Sequence, residues 1–83
     1  MMISLRYFAS LRETIGVSSE SLQTDCVDVG HLRQSLIALG GAYALGLDLG
    51  RPVRVAVNQV MAQDQTPLSE GCEVAFFPPV TGG

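Results

Sequence analysis

The residues of this 83-residue chain best suited to chemistry stand at its end, in the run Phe76-Phe77-Pro78-Pro79-Val80-Thr81-Gly82-Gly83. Terminal segments ordinarily fray into polar, solvated sequence, whereas this one is apolar, punctuated by two prolines and closed by two glycines. Pro78 and Pro79 favour an extended, low-entropy backbone that aims the last residues away from the preceding domain. At roughly 3.1 to 3.5 Å per residue, the segment from Pro78 reaches outward by about 20 Å. Gly82 and Gly83 carry no side chains and pass through a channel that would stop any other residue. The group they deliver is a free carboxylate. As such it is a poor electrophile, but as a mixed anhydride or a thiocarboxylate it becomes an acyl or sulfur donor.

That activation has to be borrowed. The chain contains no lysine, so it has neither a Walker A loop, whose lysine reaches the phosphates, nor a lysine nucleophile. The other residues with chemical potential are Cys26, Cys72 and the single histidine, His31. Two cysteines so far apart read as neither a disulfide framework nor a zinc site, and no metal is expected. A stand-alone thiol enzyme pairing either cysteine with His31 is a further reading, testable by replacing both cysteines with serine. Five arginines stand against eight acids, for a net charge of -3, and are scattered along the sequence, unlike the clustered footprint of a nucleic-acid binder. No run approaches the roughly 18 apolar residues of a membrane span. Ser4 and Arg6 interrupt the N-terminal apolar residues where a signal peptide would need continuity. The expectation is a cytoplasmic protein with no nucleic-acid or membrane partner.

With 47% hydrophobic and 16% charged residues, the chain has the composition of one compact domain. From Met2 to Ala9 it alternates as a strand, with Ile3, Leu5 and Tyr7 on one face and Met2, Ser4, Arg6 and Phe8 on the other. A short helical turn over Ser10 to Ile15 ends at Gly16, and Ser18 to Thr24 reads as a second strand, polar enough to lie near an edge. Asp28 is placed to cap the main helix, in which Val29, Leu32, Leu36 and Leu39 recur at helical spacing until Gly40-Gly41 stops it. Ala42 to Leu49 suits a short irregular helix. Extended chain resumes at Pro52, with Val53, Val55 and Val57 alternating, a turn near Asn58-Gln59, and a return strand from Val60 and Met61. After the Ser69-Glu70-Gly71 turn, Cys72 to Phe77 forms the last strand, which Pro78-Pro79 terminates. This order predicts an α+β roll in the β-grasp (ubiquitin-like) arrangement. Its mixed sheet carries one main helix on one face; residues 1–77 form the domain and 78–83 a flexible, extended tail.

Strand parity adds a docking surface. If Ile3, Leu5, Tyr7, Val74 and Phe76 face the helix, then Phe8 and Phe77 point the other way. Should the first and last strands be neighbours, those two rings lie together and Met61 extends the patch. A contiguous apolar patch beside a reactive tail reads as a site for partners, unless the helical turn near Ser10 or the segment after Gly41 folds over it.

The run from Glu73 to Gly83 resembles the C-terminal signature of the small, sulfur-carrier subunits of molybdopterin synthase. The similarity continues upstream in Tyr7-Phe8-Ala9, Leu11-Arg12-Glu13, Leu32-Arg33, Val57-Asn58-Gln59 and Pro67-Leu68 ahead of Gly71, with Cys72 standing where an acidic residue is common. The resemblance implies a β-grasp fold and a terminal glycine that a ubiquitin-activating-like adenylyltransferase and sulfurylase, consuming ATP, converts to a thiocarboxylate. It implies a sulfurtransferase in which the large subunit accepts the tail and passes the sulfur to cyclic pyranopterin monophosphate, in a heterotetramer of two small and two large subunits. The chain itself would hold no cofactor. Carried over to this sequence, Gly83 bears the reactive group and Gly82 gives passage, while Phe8, Met61, Phe77, Pro78, Pro79, Val80 and Thr81 meet the partners. Two related readings share the activation chemistry: a sulfur carrier of thiamine biosynthesis, and a ubiquitin-like modifier that forms isopeptide bonds with lysines of its targets.

Overall fold

The computed structural model describes residues 1–79. Five strands, β1 (Met2–Tyr7), β2 (Ser19–Gln23), β3 (Arg54–Val57), β4 (Val60–Met61) and β5 (Glu73–Phe77), alternate with helices α1 (Ala9–Ile15), α2 (Val29–Ala38) and α3 (Gly41–Leu47). The sheet order is β2-β1-β5-β3-β4. β1 and β5 run parallel in the centre, and the remaining pairs are antiparallel. This is the β-grasp arrangement, with β2 at an edge as its polarity predicts.

Alternation on β1 and β5 builds the core. Ile3, Leu5 and Tyr7 from β1 and Val74 and Phe76 from β5 are all buried, beneath Val29, Leu32 and Leu36 of α2. Full burial of such side chains contributes about 1.5 to 3 kcal/mol each. Helix α2 starts where expected: Asp28 has extended backbone angles and its carboxylate accepts from the His31 amide at 2.9 Å. The periodic stripe, however, ends one turn earlier than the spacing suggests. Leu39 lies at the helix end and is 64% exposed, because the chain turns at Gly40, with φ of +76°, before a further turn of helix can carry Leu39 over the core.

The short helices pack on one another. Leu11 and Leu47 enter the core from α1 and α3, and a Cβ at Gly46 would meet Leu11 and Thr14 of α1 at 3.4 Å. A glycine at this point lets the two helices approach closely. The Arg33 guanidinium then fastens the segment after α3, donating to the carbonyls of Leu47 (2.7 Å), Asp48 (2.7 Å) and Arg51 (3.1 Å). The β3–β4 hairpin turns through Asn58 and Gln59, with φ of +50° and +68°, the two positive angles of a type I′ turn. Asn58 also joins the hairpin to β5: its amide donates to the Glu73 carbonyl at 2.8 Å, and its Oδ1 accepts from the Glu73 amide at 2.9 Å.

Candidate functional site

Everything beside the tail is set by the sheet face that α2 does not cover. The register pairs Tyr7 with Phe76 and Arg54 with Phe77, and the Phe8 amide extends the ladder by donating to the Phe76 carbonyl at 3.1 Å. Phe8 and Phe77 therefore stand on neighbouring strands, one position beyond the Tyr7–Phe76 pair and on the opposite face. Phe8 is 42% exposed and Phe77 is half-buried. Helices α1 and α3 send Leu11 and Leu47 into the core on the other side of the sheet.

One rung back along the strands, Arg6, Ala75, Ala56 and Met61 follow one another across β1, β5, β3 and β4. Met61 is exposed and shares the face, but the two alanines separate it from the phenylalanines. The result is a shallow floor of small residues with aromatic rings at one corner and a thioether at the other. The Arg6 guanidinium lies 5.4 Å from the centre of the Phe8 ring, a cation–π distance, and 3.8 Å from the Glu73 carboxylate. Sequence parity places Arg6 on this face without giving it a role. It passes over Arg54, although a position between the inward Val53 and Val55 is the signal that finds it.

At the tail end of the sheet, Pro78 and Pro79 form part of a groove of about 370 Å³ whose opposite wall includes Leu11, Gly46, Arg51 and Val53. Arg33 fixes this wall through its bond to the Arg51 carbonyl. Val80, Thr81, Gly82 and Gly83, which the sequence assigns to the reactive end and its passage, lie outside the described residues.

The polar groups beneath the sheet serve the fold. Tyr7 stacks on Phe76 with ring centres 6.1 Å apart, and its hydroxyl donates to Glu20 Oε2 at 2.8 Å; the Tyr43 hydroxyl donates to the same oxygen at 2.7 Å. Burial first, and then the bond to Glu20, push the Tyr7 phenol well above its ordinary range, while the Glu20 bond chiefly raises Tyr43. Cys72 is buried in the core, where no substrate reaches it. Cys26 is half-buried and lines an open groove with His31. The His31 ring lies 2.6 Å from the Asp28 carboxylate. The amide and ring of His31, in that order, hold the Asp28 carboxyl below the usual carboxylate range, so the pair belongs to the cap of α2. Among the described residues no group of three or more His, Cys, Asp or Glu side chains is placed to hold a metal ion, and no helix is long and apolar enough to cross a membrane.

Comparison with known proteins gives the same picture at the level of whole chains. The chain is 43% identical over 82 residues to the molybdopterin synthase sulfur carrier subunit of Escherichia coli (strain K12), covering 99% of this chain and 100% of that one. Its fold matches a chain of the protein–protein complex of subunits 1 and 2 of molybdopterin-converting factor from Helicobacter pylori 26695. That match has a TM-score of 0.68 and 28% identity, with full coverage of both chains. It also matches the small archaeal modifier protein 1 of H. volcanii, with a TM-score of 0.69 and 26% identity over 95% of this chain and 98% of that one. A family model describing the ThiS family matches residues 5–83, nearly the whole sequence including both terminal glycines, and the chain belongs to the ThiS family.

Proposed function

We propose that this chain is the sulfur carrier of a molybdopterin synthase, working through a thiocarboxylate on Gly83. The observation that carries the reading is the full-length similarity to the E. coli sulfur carrier subunit, joined to a family match that takes in the run Pro-Pro-Val-Thr-Gly-Gly at residues 78–83. In the first step the Gly83 carboxylate attacks ATP in an activating enzyme, forming an acyl-adenylate and releasing pyrophosphate. A sulfur nucleophile then displaces AMP and leaves a thiocarboxylate. The large subunit takes in the tail, and the thiocarboxylate sulfur bonds to a carbon of the pterin precursor, cyclic pyranopterin monophosphate. Water then cleaves the resulting thioester at the Gly83 carbonyl, which leaves the sulfur on the pterin and an ordinary carboxylate on the carrier.

The parts of this chain divide the work. Residues 1–77 are the recognition body, and residues 78–83 are the arm that enters the partner. Phe8, Phe77 and Met61 supply apolar docking area, Pro78 and Pro79 set the direction of exit, and Val80 to Gly83 thread the channel. The assembly is two carriers flanking a dimer of large subunits, in the cytoplasm. The chain needs no cofactor of its own, and ATP is consumed by the activating enzyme.

Likeness to the small archaeal modifier protein 1 favours one second reading, in which activated Gly83 is joined to lysines of other proteins. The absence of lysine forbids side-chain isopeptides between copies of this chain and leaves only the N-terminal amine for self-attachment. The two readings separate when thiocarboxylated chain is mixed with large subunit and pterin precursor. Pterin product with recovery of unmodified chain supports the carrier; broad attachment to lysine-bearing proteins without product supports the modifier. Deleting Gly83, or appending residues after it, is expected to abolish sulfur transfer with the fold unchanged. Full synthase activity from a C-terminally extended chain would refute the mechanism.

A further inference from the structure

Three of the five arginines, dispersed in sequence, are brought by the fold to the open face and the root of the tail. Arg54 stands beside Phe77 on the open face, Arg6 lies against Phe8 on the same face, and Arg51 lines the groove under Pro78 and Pro79. Arg51 and Arg54 are exposed, and among the described residues neither side chain meets a carboxylate within ion-pair distance.

Acids collect at the other end of the sheet. Asp25 follows the end of β2, which pairs with Met2. Asp28 bridges to Pro67 beside the start of α2, the Asp64 carbonyl accepts from the Gly30 amide, and Glu70 accepts from the Met2 amide. Of the remaining acids, Glu13 lies on α1 and Asp48 follows α3, Glu20 accepts from the Tyr7 and Tyr43 hydroxyls, and Glu73 faces Arg6 at 3.8 Å. A chain of net charge -3 thus sets two exposed guanidiniums, Arg51 and Arg54, beside the aromatic corner and the root of the tail.

From this polarity we infer that the protein surface receiving the tail carries carboxylates on its rim, one opposite Arg54 and one opposite Arg51, flanking an apolar seat for Phe8 and Phe77. The inference rests on the proposed carrier role and adds the chemistry of the partner to it. The occupant is a protein with an acidic rim, since the two guanidiniums border the apolar patch and the root of the arm that has to enter the partner. Rim charges of this kind act chiefly on the association rate and on its salt dependence, because exposed charges separated by more than about 10 Å are screened at ~0.1 M salt.

The test uses the full-length chain and its cognate large subunit, followed by stopped-flow association across a salt series. The double variant Arg51→Gln/Arg54→Gln is compared with Gln23→Glu/Gln34→Glu, which makes the same change in net charge at exposed positions away from the tail root. The first variant is expected to associate about tenfold more slowly than wild type at low salt, with the gap closing to less than about twofold at ~0.5 M salt. The control stays near wild type throughout. Equal slowing in both variants, or faster association of the arginine variant, would overturn the acidic rim while leaving the carrier role standing. Failure of the wild-type chain to bind at all would overturn the carrier role and the rim together. Thermal unfolding of both variants, read beside the rates, separates a binding effect from a folding one: slowing that survives increasing salt and tracks lost stability counts against the rim.

Discussion

Phe76 and Phe77 are adjacent in the chain and differ in almost everything else. Phe76 points under α2, fully buried and stacked on Tyr7. Phe77 points to the open face beside Phe8 and Arg54 and remains half-buried. One strand therefore supplies both the centre of the core and a candidate docking surface, separated only by the two-residue period of a pleated strand. A β-sheet with a helix on one side alone has a free face to offer partners without weakening its own packing, so stability and recognition can be altered separately.

The sharpest break between the faces is a pair of substitutions. Phe76→Ala is expected to cost about 3 to 5 kcal/mol, by lost burial and the cavity left behind, while Phe77→Ala is expected to cost less than about 1 kcal/mol. Urea unfolding followed by circular dichroism reads both, and near-equal losses would erase the distinction. Phe77→Glu carries the comparison into binding. A charge on a surface desolvated in the complex is expected to weaken association with the large subunit by several kcal/mol and to leave the unfolding midpoint of the free chain almost unmoved. Collapse of the free domain on this substitution would show that the face assignment is wrong.

The pH dependence of stability isolates the inner face. The Tyr7 phenol is held neutral by burial and by its bond to Glu20, so above about pH 10 the unfolded chain loses this proton first. The unfolded state then binds fewer protons than the folded one, and stability declines as pH rises. Tyr7 alone contributes a slope of about 1.4 kcal/mol per pH unit above that point. Stability from this source is fully present below pH ~10, and Tyr7→Phe is expected to remove the larger part of the slope in urea midpoints taken from about pH 8 to pH 11, leaving the smaller part that the raised Tyr43 phenol contributes. An unchanged slope in that variant would assign the alkaline loss elsewhere. Smallest of all is the hairpin far from either phenylalanine: Gln59→Gly relieves a positive φ and is expected to stabilise by up to about 1 kcal/mol, visible as a raised melting temperature with binding unaltered.

Much of this fold is legible in the sequence because its signals are local. Alternation over Met2 to Tyr7, the Asp28 cap, the Asn58-Gln59 turn and the proline stop at Pro78 each depend on a few neighbouring residues. Helical periodicity misplaces Leu39 in the core, since it continues past the point where Gly40 turns the chain, and only tertiary packing decides which turn of helix still meets the sheet. The pairing of Phe8 with Phe77 is readable only on the condition that the first and last strands are adjacent. The placing of Arg6, Arg51 and Arg54 around the aromatic corner and the tail root is not readable at all: it depends on β1, β3 and the α3–β3 segment converging there. Nor does sequence spacing show that Tyr7 and Tyr43 share one oxygen of Glu20, a meeting of β1, α3 and β2.

The most direct measurement of the central proposal is the intact mass of the chain after incubation with its activating enzyme, ATP and a sulfur donor. The carrier reading predicts one oxygen exchanged for one sulfur, localised to Gly83 by fragmentation, absent without ATP, and reversed when large subunit and pterin precursor are added. A chain that keeps its mass with all components present and an active activating enzyme, or that gains sulfur on Cys26 or Cys72 in place of Gly83, would contradict it.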